Sequence, residues 1–222
     1  YTGTGANATV GHGLGAVPSW IIIKGRSFNE HWQVYHKSLG ATKFTELSES
    51  SAASTNSNRF NDTDPTASVF TIGTKDAVSK SSGTLIAYCF AEKQGYSKFG
   101  SYTGNGNADG PYIHTGFKPA WLLIKRSDGG TDNWNLYDNK RLGYNTNYSF
   151  LIPNESNAEN TTTSTATGPG GGVDISDGSI TTAADGDNYV YAEVSSNNHN
   201  RTFVARTPGF NFSTEMLNTS SD

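Results

Sequence analysis

One cysteine, Cys89, stands in a chain of 222 residues, so no disulfide framework of the kind that staples small secreted domains can exist. That fits folding in a cytoplasm, including the assembly of a virion component there. Cys89 lies within the apolar run Leu85-Ile86-Ala87-Tyr88-Cys89-Phe90, where a buried, inert thiol is expected rather than a nucleophile. Charge is also scarce: Asp, Glu, Lys and Arg make up 16 % of the chain and the formal net charge is -4. Without a basic footprint to neutralise phosphates, nucleic acid is excluded as a partner. No apolar run approaches the ~18 residues of a membrane helix, and no charged-then-apolar signal peptide is present, so membrane insertion is not expected. The chain begins on Tyr1 rather than methionine, as a piece or processed form of a longer chain would. No window carries the sustained 3.6-residue apolar period of an amphipathic helix.

What is abundant is aromatic and β-branched residues in short runs, and the runs repeat. Pro18-Ser19-Trp20-Ile21-Ile22-Ile23-Lys24 returns as Pro119-Ala120-Trp121-Leu122-Leu123-Ile124-Lys125. A proline that cannot donate to a ladder opens each run and a lysine closes it, the pattern of a buried strand. Tyr1-Thr2-Gly3-Thr4-Gly5 recurs as Tyr102-Thr103-Gly104-Asn105-Gly106, and Trp32-Gln33-Val34-Tyr35 as Trp134-Asn135-Leu136-Tyr137. Phe44 with Glu49-Ser50 answers Phe150 with Glu155-Ser156, and Gly83 to Tyr88 can be laid on Gly186 to Tyr191. The repeat divides the chain into a first unit at 1–100, a second at 101–194, and a tail at 195–222 that either docks or mediates assembly.

Short runs separated by Gly, Asn, Asp and Ser clusters indicate an all-β chain of two tandem antiparallel, jelly-roll-like β-sandwich domains. Trp20, Ile22, Trp121, Leu123 and Cys89 are the expected core. Strands are expected at the two Trp-bearing runs, at His31–His36, Lys43–Leu47, Val69–Ile72, Thr84–Phe90, Tyr112–His114, Trp134–Tyr137, Tyr148–Ile152, Val173–Ile175 and Tyr189–Val194. Glu46–Ala53 is an alternative helical turn, Asn56–Pro65 a loop, and the tract ending Gly168-Pro169-Gly170-Gly171-Gly172 an exposed loop.

No site for catalysis, metal or cofactor emerges. Glu49 and Glu155 are equivalent acids, one per unit, which suits a structural role better than a catalytic pair at one cleft. Asp62-Thr63-Asp64 and Asp185-Gly186-Asp187-Asn188 lack the spacing of a calcium loop. His12, His31, His36, His114 and His199 include no metal-binding i, i+4 pair, and His12 and His114 suit turn hydrogen bonds. Trp32, Tyr35, Trp134 and Tyr137 have two readings. On half-exposed strands they form a glycan-binding platform, ring against pyranose face; alternatively the tryptophans plug the interior.

The motifs Tyr102-Thr103-Gly104-Asn105-Gly106, Gly116-Phe117-Lys118-Pro119-Ala120-Trp121, Trp32-Gln33-Val34-Tyr35-His36-Lys37-Ser38-Leu39-Gly40 and Ala87-Tyr88-Cys89-Phe90-Ala91-Glu92 resemble a tandem repeat of tail-fibre-like and other structural proteins of marine tailed bacteriophages, over residues 1 to about 194. The resemblance implies a virion surface module without catalytic residues to carry over, acting as a rigid arm or host-surface adhesin. It also implies three-fold self-association or contact with other virion proteins, with a host-surface glycan as a further partner. A different expectation is a carbohydrate-binding module or part of a polysaccharide depolymerase.

Overall fold

The computed structural model describes residues 1–104, 112–117, 119–138, 149–161, 173–174, 189–192 and 200–206. The chain is all-β, with antiparallel pairing throughout the described residues and two single-turn helices. The described residues divide into two compact units, those from Tyr1 to Glu92 and those from Lys93 to Arg206.

The first unit runs β1 (Ala8–Gly11), β2 (Trp20–Gly25), β3 (Gln33–His36), β4 (Lys43–Glu46), β5 (Ser54–Thr55), α1 (Ser57–Phe60), β6 (Val69–Ile72), α2 (Asp76–Ser79) and β7 (Leu85–Phe90). Five strands form a sheet in the order β5-β4-β3-β2-β7, and β1 pairs with β6 in a separate ladder. The alternation of β2 sends Ile21 and Ile23 into a core with Tyr35, Phe44, Phe60, Phe70, Ile72, Val78 and Leu85. Trp20 and Ile22, on the opposite face, are buried too. α1 falls where the composition reads as loop, and α2 in a stretch to which the sequence assigned no element. Asn56 caps α1 by accepting from the Asn58 amide at 2.9 Å, and Asn61 ends it in the left-handed region at φ 51, so polar residues build a turn that carries no apolar period. Glu46–Ala53 forms no helix.

The second unit runs β8 (Ser97–Thr103), β9 (Tyr112–His114), β10 (Trp121–Arg126), β11 (Asn135–Asp138), β12 (Ser149–Phe150), β13 (Asn160–Thr161), β14 (Val173–Asp174), β15 (Tyr189–Ala192) and β16 (Asn200–Arg206). Its sheet has the order β11-β10-β16-β8, with β14-β15-β9 beside it as a second ladder and β12-β13 as a third. Phe117, Leu122, Ile124, Tyr137 and Phe150 make its core.

Strand pairing repeats between the units more faithfully than sequence does. β2 lies between β3 and β7, and β10 lies between β11 and β16. In register, Trp20 opposes His36 and Phe90, and Trp121 opposes Asp138 and Arg206. The β1–β6 ladder likewise has its counterpart in β9–β15.

These pairings place three stretches in the sheets. The counterpart of β7 is β16, not the stretch 186–191, whose Tyr189–Ala192 instead answers β6. The segment Asn200–Arg206, read as tail, is an interior strand of the second sheet. Ser97–Thr103, which straddles the boundary expected between 100 and 101, pairs along its whole length with Asn200–Arg206 in the second unit. The tract 168–172, the acidic stretch 185–188, and Phe210, Phe212 and Met216 lie outside the described residues.

Trp20, Ile22 and Leu123 are buried, at 3 %, 2 % and 3 % exposure. Trp121 and Cys89 are half-buried. Cys89 packs against the first core, and burial pushes its thiol up to about 12.

Candidate functional site

Lys24 closes β2 and donates its ammonium to the carbonyl of Glu30; Lys125 closes the equivalent run and donates to the carbonyl of Asp132 at 2.6 Å. Each lysine thus pins the turn that delivers the second tryptophan of its unit. Beyond that turn a four-residue constellation is built, once in each unit. In the first, His31 Nδ1 lies 2.9 Å from Glu49 Oε1 and 3.1 Å from Ser48 Oγ, and Ser48 Oγ accepts the Trp32 amide at 3.3 Å. In the second, Asn133 donates to Glu155 Oε1 at 2.7 Å, Asn154 donates to Asn133 Oδ1 at 2.8 Å, and Asn154 Oδ1 accepts the Trp134 amide at 2.9 Å. Different side chains make the same ties: an acid holds the residue ahead of the tryptophan, and its neighbour caps the tryptophan amide.

The two constellations differ in access. Trp134 is 3 % exposed and Lys125 is fully buried; burial pushes the Lys125 ammonium down to about 8, with Asp132 opposing the shift and Arg126 adding to it. In the first unit Trp32 is half-buried and His31 exposed. There Lys24, Asn29, Glu30, His31, Trp32 and Ser48 line an open cleft of about 370 Å³. The Trp32 ring lies parallel to Tyr88, 6.5 Å between centroids and 14° between planes, with the Lys24 ammonium 5.8 Å from its centroid. A fixed indole beside an ammonium, a primary amide, an imidazole and a hydroxyl is a donor-and-acceptor set suited to hydroxyl-rich ligands.

The four aromatic residues do not form one platform. Tyr35, Trp134 and Tyr137 are buried, at 3 %, 3 % and 1 % exposure, because β3 is buried at every position and Tyr137 belongs to the second core. Tyr35 spends its hydroxyl on Asp64 Oδ1 at 3.2 Å. That carboxylate also accepts the Ala41 amide at 2.9 Å, which gives Asp62-Thr63-Asp64 a turn-holding role. His12 likewise serves a strand end, accepting the Leu14 amide at 3.2 Å. Of the four only Trp32 keeps access to a cleft; of its surroundings Asn29 and Ser48 were not singled out from the sequence, Lys24 was read as a strand end, and His31 as one of five histidines without a metal-binding pair. The signal that could have found them was matched placement: His31 and Asn133 stand directly ahead of Trp32 and Trp134, and Ser48 and Asn154 directly ahead of Glu49 and Glu155.

Beneath the cleft-bearing loop lies a buried polar cluster. Gln33 donates to Glu46 Oε1 at 2.8 Å and Arg59 sits 3.4 Å from the same oxygen, stacked over the Phe44 ring at 4.4 Å. Burial lowers the Arg59 pKa, against the raising influence of Glu46 and Glu30. Among the described residues no group of three His, Cys, Asp or Glu side chains is placed to hold a metal ion.

The fold and site define an all-β protein of two sheet-based units that share one pairing scheme. The sequence model of a family described as a domain of unknown function, DUF7483, matches residues 1–197. The chain belongs to that family. It matches no curated protein and no solved structure.

Proposed function

We propose that the chain is a non-enzymatic structural module of a bacteriophage fibre or related virion appendage, two tandem sandwich units serving as a rigid arm, with the Trp32 cleft as its contact to a host-surface glycan. The observation that carries the non-enzymatic reading is the duplicated constellation: Glu49 and Glu155 each hold the loop ahead of a tryptophan. An acid used twice as a loop tie, once beside a buried indole, is accounted for without chemistry. The virion setting rests on the resemblance of the repeat motifs, and assembly into a trimer follows from that same resemblance.

The test is binding with and without turnover. Purified chain is incubated with envelope polysaccharide of marine bacteria, and both retention on the glycan and new reducing ends are measured. Retention without new ends supports the proposal; new ends that vanish on Glu49→Gln would establish the depolymerase reading instead. For assembly, light scattering compares the full chain with a version ending at Arg206, which keeps every described strand of the second unit. A trimer that becomes a monomer on truncation supports tail-mediated assembly, and a monomer in both cases refutes it.

A further inference from the structure

A polar cluster is buried in the first unit where the second unit is apolar. β3 and β4 pair Val34 with Thr45 and Gln33 with Glu46. Leu136 and Leu151 make the matching bridge in the second unit, and Phe44 and Phe150, one residue ahead of Thr45 and Leu151, are both buried. The residues that answer Gln33 and Glu46 are therefore Asn135 and Ile152, and Ile152 packs against the second core. An aliphatic side chain serves this position of the fold, so the pairing scheme does not need a carboxylate there.

The cluster is also poorly satisfied. Gln33 is 0 % and Arg59 8 % exposed, yet Gln33 Oε1, Arg59 Nε and Arg59 Nη1 have no hydrogen-bond partner among the described residues. Arg59 reaches Glu46 Oε1 through one nitrogen at 3.4 Å, without the paired fork that makes arginine–carboxylate contacts strong. Burial lowers its pKa even though Glu46 and Glu30 act to raise it, so the charge gains less from its partners than it loses on leaving water. Well-packed apolar side chains in such a place are often equally or more stabilising. A buried polar group kept in spite of this calls for another role.

Its contacts supply one. Gln33 Nε2 donates to the His31 carbonyl at 3.3 Å as well as to Glu46 at 2.8 Å. Just past β4, the Leu47 amide donates to the Trp32 carbonyl at 2.9 Å, and Ser48 Oγ accepts the Trp32 amide at 3.3 Å. Trp32 is thus tied on one side through the hold of Gln33 on His31 and on the other through the two residues that follow Glu46. We infer that Gln33, Glu46 and Arg59 are positioning residues for the Trp32 cleft, fixing the indole and the His31 backbone from beneath, and that the fold itself does not require them. None of the three lines the cleft, so they act on a ligand only through Trp32 and His31. Their effect on glycan binding rests on the cleft being the glycan contact; their effect on Trp32 does not.

The test replaces the ion pair as a whole, Glu46→Ile together with Arg59→Leu, so that no charge is left buried alone. Glu46→Gln is the conservative companion, because its side-chain oxygen still accepts from Gln33 and Arg59. Three quantities are read on the full chain: the urea midpoint, the indole N–H signals of Trp32 and Trp134 in the nuclear magnetic resonance spectrum, assigned with Trp32→Phe and Trp134→Phe, and retention on envelope polysaccharide. For the double variant the expected result is an unchanged or higher midpoint, a Trp32 signal that shifts or broadens while that of Trp134 stays, and retention weakened by about 10-fold or more, the loss of roughly one well-made hydrogen bond. Glu46→Gln should keep both the Trp32 signal and the retention of the unaltered chain. A lower midpoint, a double variant that no longer folds, or a Trp32 signal left in place overturns the inference, since the cluster would then be holding the fold or holding nothing at the cleft. If the unaltered chain is not retained on the glycan, the glycan reading fails, and the midpoint and the Trp32 signal still decide whether the cluster positions the cleft.

Discussion

Glu155 holds Asn133 in the second unit as Glu49 holds His31 in the first, at 2.7 Å and 2.9 Å. The ties match although the partners changed from imidazole to amide, so what the two units share is the position of a loop rather than a charge. The neighbouring caps lead to unequal consequences. Asn154→Ala deprives the amide of the buried Trp134 of its acceptor and should cost about 1–3 kcal/mol. Ser48→Ala does the same at half-buried Trp32, where water can substitute, and should cost less than about 1 kcal/mol. Urea unfolding of the two variants checks the ranking.

Gly73 is held against the backbone of α1: a Cβ there would meet the carbonyl carbon and oxygen of Asn58 at 2.3 Å. Backbone cannot swing aside as a side chain does, so Gly73→Ala should cost more than about 2 kcal/mol. Gly11→Ala is the control. Its nearest atom would be the Ser68 carbonyl oxygen at 3.9 Å, and its stability should stay within about 0.5 kcal/mol. Thermal melts of both variants decide it.

Lys125 gives a pH signature. Its folded pKa of about 8 lies below the ordinary 10.5, so between those values the unfolded chain binds the extra proton. Stability then rises with pH across that window and is fully penalised below pH 8. Because Tyr1 and Tyr35 are also raised by burial and act in the opposite sense above pH 10, the comparison belongs between pH 7.5 and 9.5. Urea midpoints of Lys125→Met should lack this rise, and subtracting them from those of the unaltered chain should leave a difference that rises with pH across the window.

How much of this was readable beforehand differs by element. β2 and β10 were legible because proline, a large apolar run and a closing lysine are local features, and the equivalence of Glu49 with Glu155 was legible from spacing. The burial of β3 was not. Gln33 and His36 look solvent-facing, yet Gln33 is held by Glu46 and His36 accepts the Ser38 amide at 3.1 Å, so an interior strand mimics a half-exposed one. The role of Asn200–Arg206 was hidden for another reason. Its position is set by backbone pairing over a long sequence separation, which side chains unlike those of Leu85–Phe90 satisfy equally well. The open cleft could not be distinguished from its closed twin, because both carry a tryptophan and a lysine at matching places.

Cys89 packs against the first core and should be a poor nucleophile. With its thiol pushed up to about 12, very little thiolate exists at pH 8. Disulfide-exchange labelling of the native chain should proceed more than about 10-fold slower than that of the chain in urea. Equal rates would show that the thiol is neither desolvated nor packed as described.

The central claim, a non-catalytic module that meets a glycan through Trp32, is tested most directly by one binding measurement on three chains. The unaltered chain, Trp32→Ala and Glu49→Gln are each applied to immobilised envelope polysaccharide while released reducing ends are counted. The account predicts retention of the unaltered chain and of Glu49→Gln, loss of retention for Trp32→Ala, and no reducing ends from any of them. Reducing ends from the unaltered chain that disappear with Glu49→Gln would contradict it.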